Sequence, residues 1–320
     1  MKKKKILITG GFGLLGKSLI SKLVSEKHKV FVLDKEKNFE RVKSFKIYKA
    51  KFIYGNFENK NLVKNIIKNN KIEAIFHLGA ITQVLYALQN PYLTYQTNII
   101  GTLNIIDSIR ELRRNILFIY SSSDKAYGEI KKRDYTEKDN LNPIFPYDLS
   151  KSSSDLICQS YSKNFGLRVG IVRCGNLYGP GDFNIKRIIP DTIISALKER
   201  RLIIRSNGKL RRDYVFIDDA SNAYYLIFKK LIYSKKKLLI YNVGSSDNLS
   251  VIEIVNLILK RMRKQYLKPI IKNISNKEII NQSLNYRKIR REISWKPRVK
   301  LIKGIDLTIK WYKENINLFN

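Results

Sequence analysis

With 320 residues, 44% of them hydrophobic and 28% charged, the chain can bury a large core in one domain, or in one domain with a smaller lobe, and it reads as soluble and globular. No apolar run approaches the roughly 20 residues of a membrane span. Cys158, Cys174, His28 and His77 lack the paired spacing of a disulfide framework or a His/Cys metal site, so no metal is expected and a reducing cytoplasm is the expected home. The formal net charge of +35 is compatible with nucleic acid or an anionic membrane surface. Its lysines are scattered and no RNA-binding signature occurs, so no nucleic-acid partner is expected; a positive surface would instead steer an anionic small molecule inward.

The basic start, Met1 to Lys5, resembles the beginning of a secretory signal. Only a short apolar run follows before glycines intervene, and no signal peptide is expected. Residues 5–34 then form one unit. Ile6-Leu7-Ile8 predicts a strand, Thr9-Gly10-Gly11-Phe12-Gly13-Leu14-Leu15-Gly16 a turn, and Leu19, Ile20, Leu23 and Val24 a helix. A second strand, Val30-Phe31-Val32-Leu33, ends on Asp34. Strand, glycine turn, helix, strand and acid in that order are the dinucleotide-binding fingerprint. Glycines bring the backbone close to a pyrophosphate seated on the positive end of the helix. Here they stand at 10, 13 and 16 instead of in the tighter two-then-three spacing. Asp34 suits a ribose with a free 2′-hydroxyl and repels a 2′-phosphate, which favours NAD over NADP; Lys35 and Lys37 just beyond it could pair with such a phosphate.

Strand–helix alternation continues. Phe52-Ile53-Tyr54 predicts a strand, Leu62 to Ile67 a helix, and Ala74-Ile75-Phe76-His77-Leu78 a buried strand. A long helix is expected over about 94–114, a strand over 116–120, a helix over 147–164 and a strand over 169–172. Such repetition predicts an α/β fold with a parallel, doubly wound sheet. Beyond Arg173 the texture changes. A loop is expected over 175–182, then helices at 187–199, 218–230, 250–263 and 303–317, with a strand near 239–243. Residues 1–175 are accordingly read as a dinucleotide-binding (Rossmann) domain, and 176–320 as a smaller lobe interleaved with late strands of the sheet.

Chemistry concentrates at two places. Ser121-Ser122-Ser123-Asp124-Lys125 brings a hydroxyl, a carboxylic acid and an amine together after the strand, and Tyr147 and Lys151 lie four apart on one helical face. A phenol with a pKa of about 10 is a poor base at neutral pH. An adjacent ammonium is expected to lower it. These five groups suffice to oxidise a sugar alcohol and then expel water from the ketone.

In these motifs the chain resembles the extended short-chain dehydrogenase/reductase family of nucleotide-sugar enzymes, nearly end to end. The resemblance rests on Gly10–Gly16, Asp34, His77-Leu78-Gly79-Ala80, Asn98 with Gly101-Thr102, the serine run, Tyr147/Lys151, Asn176 and Arg212-Asp213-Tyr214. Within the family, Asp124-Lys125 looks like a 4,6-dehydratase, most like the CDP-glucose branch, since 4-epimerases usually carry small, non-ionising residues there. The resemblance implies that Gly10, Phe12, Gly13, Leu14 and Gly16 cradle NAD, with Asp34, Asn56, Phe57, Leu78, Ala80, Asn98, Tyr147 and Lys151 completing its site. Gly79 in place of the commoner Ala is expected to matter little. Thr82, Ser123, Asn176, Arg187 and Arg212 are implied contacts of a nucleotide-diphosphate sugar. In the implied reaction Tyr147 takes the 4-hydroxyl proton while Ser123 binds that oxygen, NAD takes the C4 hydride and later returns it to C6, Lys125 removes the C5 proton, and Asp124 protonates the departing 6-hydroxyl. Relatives pair through helices equivalent to 94–114 and 147–164, which implies a homodimer. Two rivals remain: a 4-epimerase, in which Asp124 and Lys125 stand idle, and a non-catalytic NAD-bound regulator or RNA-binding relative.

Overall fold

A run of β-branched and aliphatic residues, apolar on both faces, suits a strand buried between helices, and the first such run sets the centre of the molecule. The computed structural model describes residues 2–319 except 38, 40, 41, 43, 44, 46, 130–133, 246 and 275–278. Strand β1 (Lys5–Thr9) leads through the glycine turn into helix α1 (Leu14–Ser25), and β2 (Lys29–Asp34) returns beside it. Then follow β3 (Lys51–Tyr54), α2 (Lys60–Asn69) and β4 (Ala74–His77). The side chain of Asn59 caps α2 by accepting from the Leu62 N–H at 3.0 Å, a contact worth about 1 kcal/mol.

Short helices α3 (Val84–Gln89) and α4 (Pro91–Tyr95) precede a π-turn at Gln96–Ile100 and helix α5 (Gly101–Glu111). The helix expected over 94–114 is thus a continuous helical run that starts at Pro91, ends at Glu111 and is widened by the π-turn, which has a use described below. Strand β5 (Leu117–Ser123) carries the serine run to its C-terminal end, three residues beyond the predicted strand. Helix α6 (Pro146–Phe165) and strand β6 (Arg168–Cys174) follow.

In the later chain the expected loop after Gly175 contains a short strand, β7 (Asn176–Tyr178), and α7 (Ile188–Leu197) and β8 (Ile203–Ile204) come next. Strand β9 (Arg211–Phe216) runs into α8 (Ile217–Tyr233), and β10 (Leu238–Val243) precedes β11 (Asn248–Ser250) and α9 (Val251–Met262). Last are β12 (Ile270–Ile271), α10 (Arg287–Ile293) and α11 (Leu301–Glu314).

Seven parallel strands form the central sheet in the order β10-β6-β5-β4-β1-β2-β3. Alternate residues face opposite layers. Ile6, Ile8, Phe76 and Ile119 pack with α1 and α8, while Leu7, Ile75, Phe118 and Ile171 pack with α2 and α5. The chain leaves β1 toward β2 and β3, then crosses back to β4 on the other side. That reversal opens a crevice at the carboxyl ends of β1 and β4, where doubly wound folds bind ligands. Strands β11, β9 and β7 make a separate three-stranded sheet beside this end. Among the described residues no helix is long and apolar enough to cross a membrane.

Candidate active site

The crevice is a cavity of about 600 Å³ running from the glycine turn to α7. Its three turn glycines do different work. Gly10 has a φ of +73°, and a Cβ there would stand 2.6 Å from the Gly79 backbone. A Cβ on Gly16 would stand 2.5 Å from the carbonyl oxygens of Gly10 and Gly11, so only glycine lets α1 start this close under the turn. Gly13 caps α1 and lines the cavity. The result is a backbone cradle at a helix N-terminus, suited to a pyrophosphate.

At the end of β2, Asp34 accepts hydrogen bonds from the Phe12 N–H at 3.0 Å and the Glu36 N–H at 3.1 Å. Both oxygens are thus fixed, and each keeps a lone pair for a ribose hydroxyl. Lys37 stacks its ammonium 3.9 Å over the Tyr54 ring, while Lys35 lines the cavity. Phe12, Leu14, Asn56, Phe57, Leu78 and Ala80 line it too. Phe57 lies against two glycines: a Cβ on Gly79 or Gly101 would approach its ring to 2.6 or 2.5 Å. Gly79 therefore does matter, because the commoner alanine would push Phe57 out of its seat.

Asn98 is placed otherwise than expected. It does not line the cavity. Its amide, 1% exposed, accepts from the Ile81 N–H at 2.8 Å and donates to the Ile81 carbonyl at 2.9 Å and the Ser150 Oγ at 2.9 Å. The π-turn leaves the Asn98 carbonyl to accept from Thr102 Oγ1 at 2.6 Å and Ser154 Oγ at 2.9 Å. The residue ties the loop after β4 to the helix that carries Tyr147 and Lys151, positioning both walls from behind.

At the far end of β5 the reactive groups converge, with Ser123, Asp124, Lys125, Tyr147 and Lys151 all lining the cavity. Ser123 Oγ donates to Asp124 Oδ1 at 2.9 Å and accepts from the Lys125 N–H at 3.2 Å. Asp124 is 2% exposed, and its Oδ2 is buried with no hydrogen-bond partner among the described residues. Burial pushes its carboxyl up toward the proton-carrying form, against the pull of Lys125, the Ser123 hydroxyl and Arg212. Lys125 donates from Nζ to the Gln282 Oε1 at 2.7 Å.

Tyr147 differs from the expectation of a lowered phenol. Burial pushes it up, the Ser123 hydroxyl pulls it down, and Asp124 and Asp148 push it further up. Lys151 donates to the Ser121 carbonyl at 2.5 Å, and burial lowers its own pKa to about 8. Desolvation is the largest influence on both groups. Behind them, Asp155 receives Arg173 in a bidentate pair at 2.9 and 3.0 Å and a hydrogen bond from Ser122 at 2.8 Å. Removing one partner of such a buried pair costs about 3–5 kcal/mol, so the floor of the site is rigid.

On the opposite wall, Thr82, Asn176 and Arg187 line the cavity as expected. Asn176 Nδ2 is buried without a partner among the described residues, a donor left for a ligand. Arg187 donates to Asp182 Oδ2 at 3.1 Å and to the Leu177 carbonyl at 3.3 Å. Arg212 does not reach the cavity; it is 6% exposed and donates to the carbonyls of Ile279 and Arg211 at 2.8 and 2.9 Å. Among the residues that escaped the sequence reading, two stand out. Lys17 on α1 is buried, lines the cavity and donates to the Gly181 carbonyl at 2.6 Å, joining the first helix to the later lobe. Gln282 was the other. One more lysine is inconspicuous in a chain with 62 lysines and arginines.

A doubly wound sheet with a glycine cradle, an acid at the end of β2 and a Ser/Tyr/Lys set beside the same cavity defines a nicotinamide-dinucleotide enzyme acting on an alcohol. The sequence profile of the NAD dependent epimerase/dehydratase family matches residues 6–244, and the chain belongs to that family. NAD is its cofactor, and the cradle and Asp34 fit it. The chain is 29% identical to the dTDP-D-glucose 4,6-dehydratase of Dictyostelium discoideum, over 98% of this chain and 82% of that protein. Its fold is similar to that of the dTDP-glucose 4,6-dehydratase of Streptomyces venezuelae solved with NAD and TYD, at 25% identity and a TM-score of 0.90, covering 98% of each chain. It is also similar to the UDP-glucose 4-epimerase of Thermotoga maritima solved with UDP-glucose, at 26% identity and a TM-score of 0.86, covering 98% of this chain and 99% of that one.

Proposed function

We propose that the protein is an NAD-dependent nucleotide-sugar 4,6-dehydratase that converts a nucleoside-diphosphate hexose into the 4-keto-6-deoxy sugar and water. The observation that carries this reading is Asp124, buried, pushed toward its protonated form, and adjoining Lys125 at the cavity end that also holds Ser123 and Tyr147. A 4-epimerase has no use for such an acid.

Bound NAD supplies the acceptor for the C4 hydride and the donor that returns it to C6. Tyr147 takes the 4-hydroxyl proton while Ser123 hydrogen-bonds the same oxygen. The resulting ketone acidifies C5–H, and Lys125, as the free amine, accepts that proton. Asp124 protonates the 6-hydroxyl through Oδ2, the C6–O bond breaks, and water leaves a C5=C6 double bond conjugated to the ketone. Lys125 then gives its proton back to C5 as C6 is reduced. Tyr147 releases its proton to solvent and Asp124 regains one, so the reaction is redox-neutral. Asn176 and Arg187 bind the substrate across the cavity, with Thr82 near the sugar. In this reading residues 1–175 hold NAD and the lobe after them holds the nucleotide sugar.

Incubation with a panel of nucleotide hexoses tests this directly. Product lighter by one water, formed without added reductant, is expected. Product of unchanged mass with inverted C4 would establish the epimerase instead.

The protein acts as a homodimer. Helix α6 exposes Leu149 and Leu156, and the segment from α4 through the π-turn exposes Tyr92, Leu93 and Ile100. Apolar residues standing out from adjacent helices suit a four-helix interface with a second copy, the pairing that the family resemblance implies. Leu156, 52% exposed, sits in the middle of α6. Leu156→Glu should convert the dimer to a monomer by light scattering at micromolar concentration. A monomeric parent with full activity would exclude the dimer.

A further inference from the structure

We propose that Gln282 is a positioning residue for the elimination step: it holds Lys125 in place through a neutral acceptor, which orients the amine without locking it as an ammonium ion. The inference rests on the dehydratase reading and deepens it.

Gln282 is 0% exposed, and its Oε1 accepts from Lys125 Nζ at 2.7 Å. Its Nε2 is buried with no hydrogen-bond partner among the described residues. A buried amide N–H left unpaired costs stability, so the side chain is placed for what its oxygen does. The backbone around it is firmly held. The Gln282 N–H donates to the Arg211 carbonyl at 3.2 Å, and its carbonyl accepts from Asn248 Nδ2 at 2.7 Å. Two residues on, the Leu284 N–H donates to the buried Asp213 carboxylate at 3.2 Å. The amide oxygen is therefore a fixed point, set on the lobe opposite the turn that carries Lys125.

A lysine acting as base toward C5–H must present a lone pair. An amide oxygen accepts one N–H from an amine or an ammonium alike and directs the nitrogen. A carboxylate at the same place would favour the ammonium and remove the base. Beside Lys125 on its own turn stands Asp124, which Arg212 from β9 also reaches and which itself acts on Tyr147 from α6, Cys174 from β6 and Asp213 from β9. Burial pushes Asp124 and Asp213 up, Asp213 to about 7, and both are thus shifted toward neutrality. Gln282 keeps the surroundings of Lys125 free of one more full negative charge.

Two variants of the full-length, NAD-loaded protein test this. Gln282→Glu should retain C4 oxidation while water loss and solvent-hydrogen exchange at C5 fall roughly 10- to 100-fold at neutral pH. Both should recover at higher pH, the rising limb of the elimination profile moving up by about 1–2, the size of shift that an opposite charge at contact produces. Gln282→Met, which keeps the volume without charge or acceptor, should lower kcat for elimination by about 10-fold, change KM for the nucleotide sugar little, and show no alkaline displacement. Variants with the parent pH profile, or with losses confined to KM, NAD binding or melting temperature, overturn the positioning role while leaving the dehydratase reading intact. A parent enzyme that never releases water overturns that reading, and this inference with it.

Discussion

Asp124→Asn and Lys125→Met should each stop the reaction after C4 oxidation, with reduced cofactor accumulating on the enzyme and absorbing in the near ultraviolet. Asparagine keeps the size and the hydrogen bond from Ser123 but has no proton to transfer. Methionine keeps an apolar stem and removes the amine. Neither residue belongs to the glycine cradle or to Asp34, so NAD should bind as in the parent. Water loss should slow by roughly 100- to 10,000-fold, the worth of one positioned acid or base. The structure sharpens the expectation for Asp124. Its Oδ1 already receives Ser123 at 2.9 Å, while Oδ2 is buried and unpartnered among the described residues, so Oδ2 is the atom expected to give up the proton. Because burial raises this carboxyl, acid function should persist above the pH range of an ordinary aspartate and fail as rising pH ionises the group. Parent-like turnover of both variants would remove the elimination mechanism and leave the epimerase reading.

How far the sequence disclosed this site depends on whether a residue works through local pattern or through tertiary contact. The run from Ile6 to Asp34 encodes its own geometry, because strand, turn and helix are contiguous and Gly10 and Gly16 are required by close backbone approach. Tyr147 and Lys151 were equally legible, since helical periodicity alone places them together. The predicted segments of the sheet likewise match its strands to within a few residues, because β-branched runs covered on both faces are unambiguous at this length. The pKa directions were not legible. Four-residue spacing suggested a lowered phenol, yet burial dominates Tyr147, and Lys151 turns to the Ser121 carbonyl. Asn98 and Arg212 were read as ligand contacts, whereas the fold uses both behind the wall, as hydrogen-bond donors to backbone. The division of labour among polar residues of one type depends on which way each side chain faces, and no periodicity reports that in irregular segments. Gln282 shows the extreme case: it meets Lys125 across a separation of 157 residues.

Tyr147 and Lys151 should be separable by pH, with C4 oxidation read as absorbance in the Lys125→Met background, where the first step stands alone. Tyr147→Phe should abolish that signal, a loss of roughly 100- to 10,000-fold, because it removes the base proposed to take the 4-hydroxyl proton. The parent pair holds two protons, one on the buried phenol and one on an ammonium whose pKa burial has lowered to about 8. Loss of the first proton leaves either phenolate with ammonium or phenol with amine, in a ratio that does not depend on pH. The oxidation rate should therefore climb with pH and level off near 8, where that first proton is gone. Lys151→Met removes the shared proton and the favourable charge together. Its phenol, pushed up by burial and deprived of the Lys151 ammonium, should ionise only at strongly alkaline pH. The variant should be slower throughout, and its rate should keep rising where the parent has levelled. The sign follows from which group bears the positive charge: below about 8 the ammonium is present and favours phenolate, and deleting it must move the rising limb upward, never downward. A Lys151→Met profile that levels off at the parent's pH would show that Lys151 only grips the ribose and that Tyr147 is set by its other neighbours, Ser123 foremost.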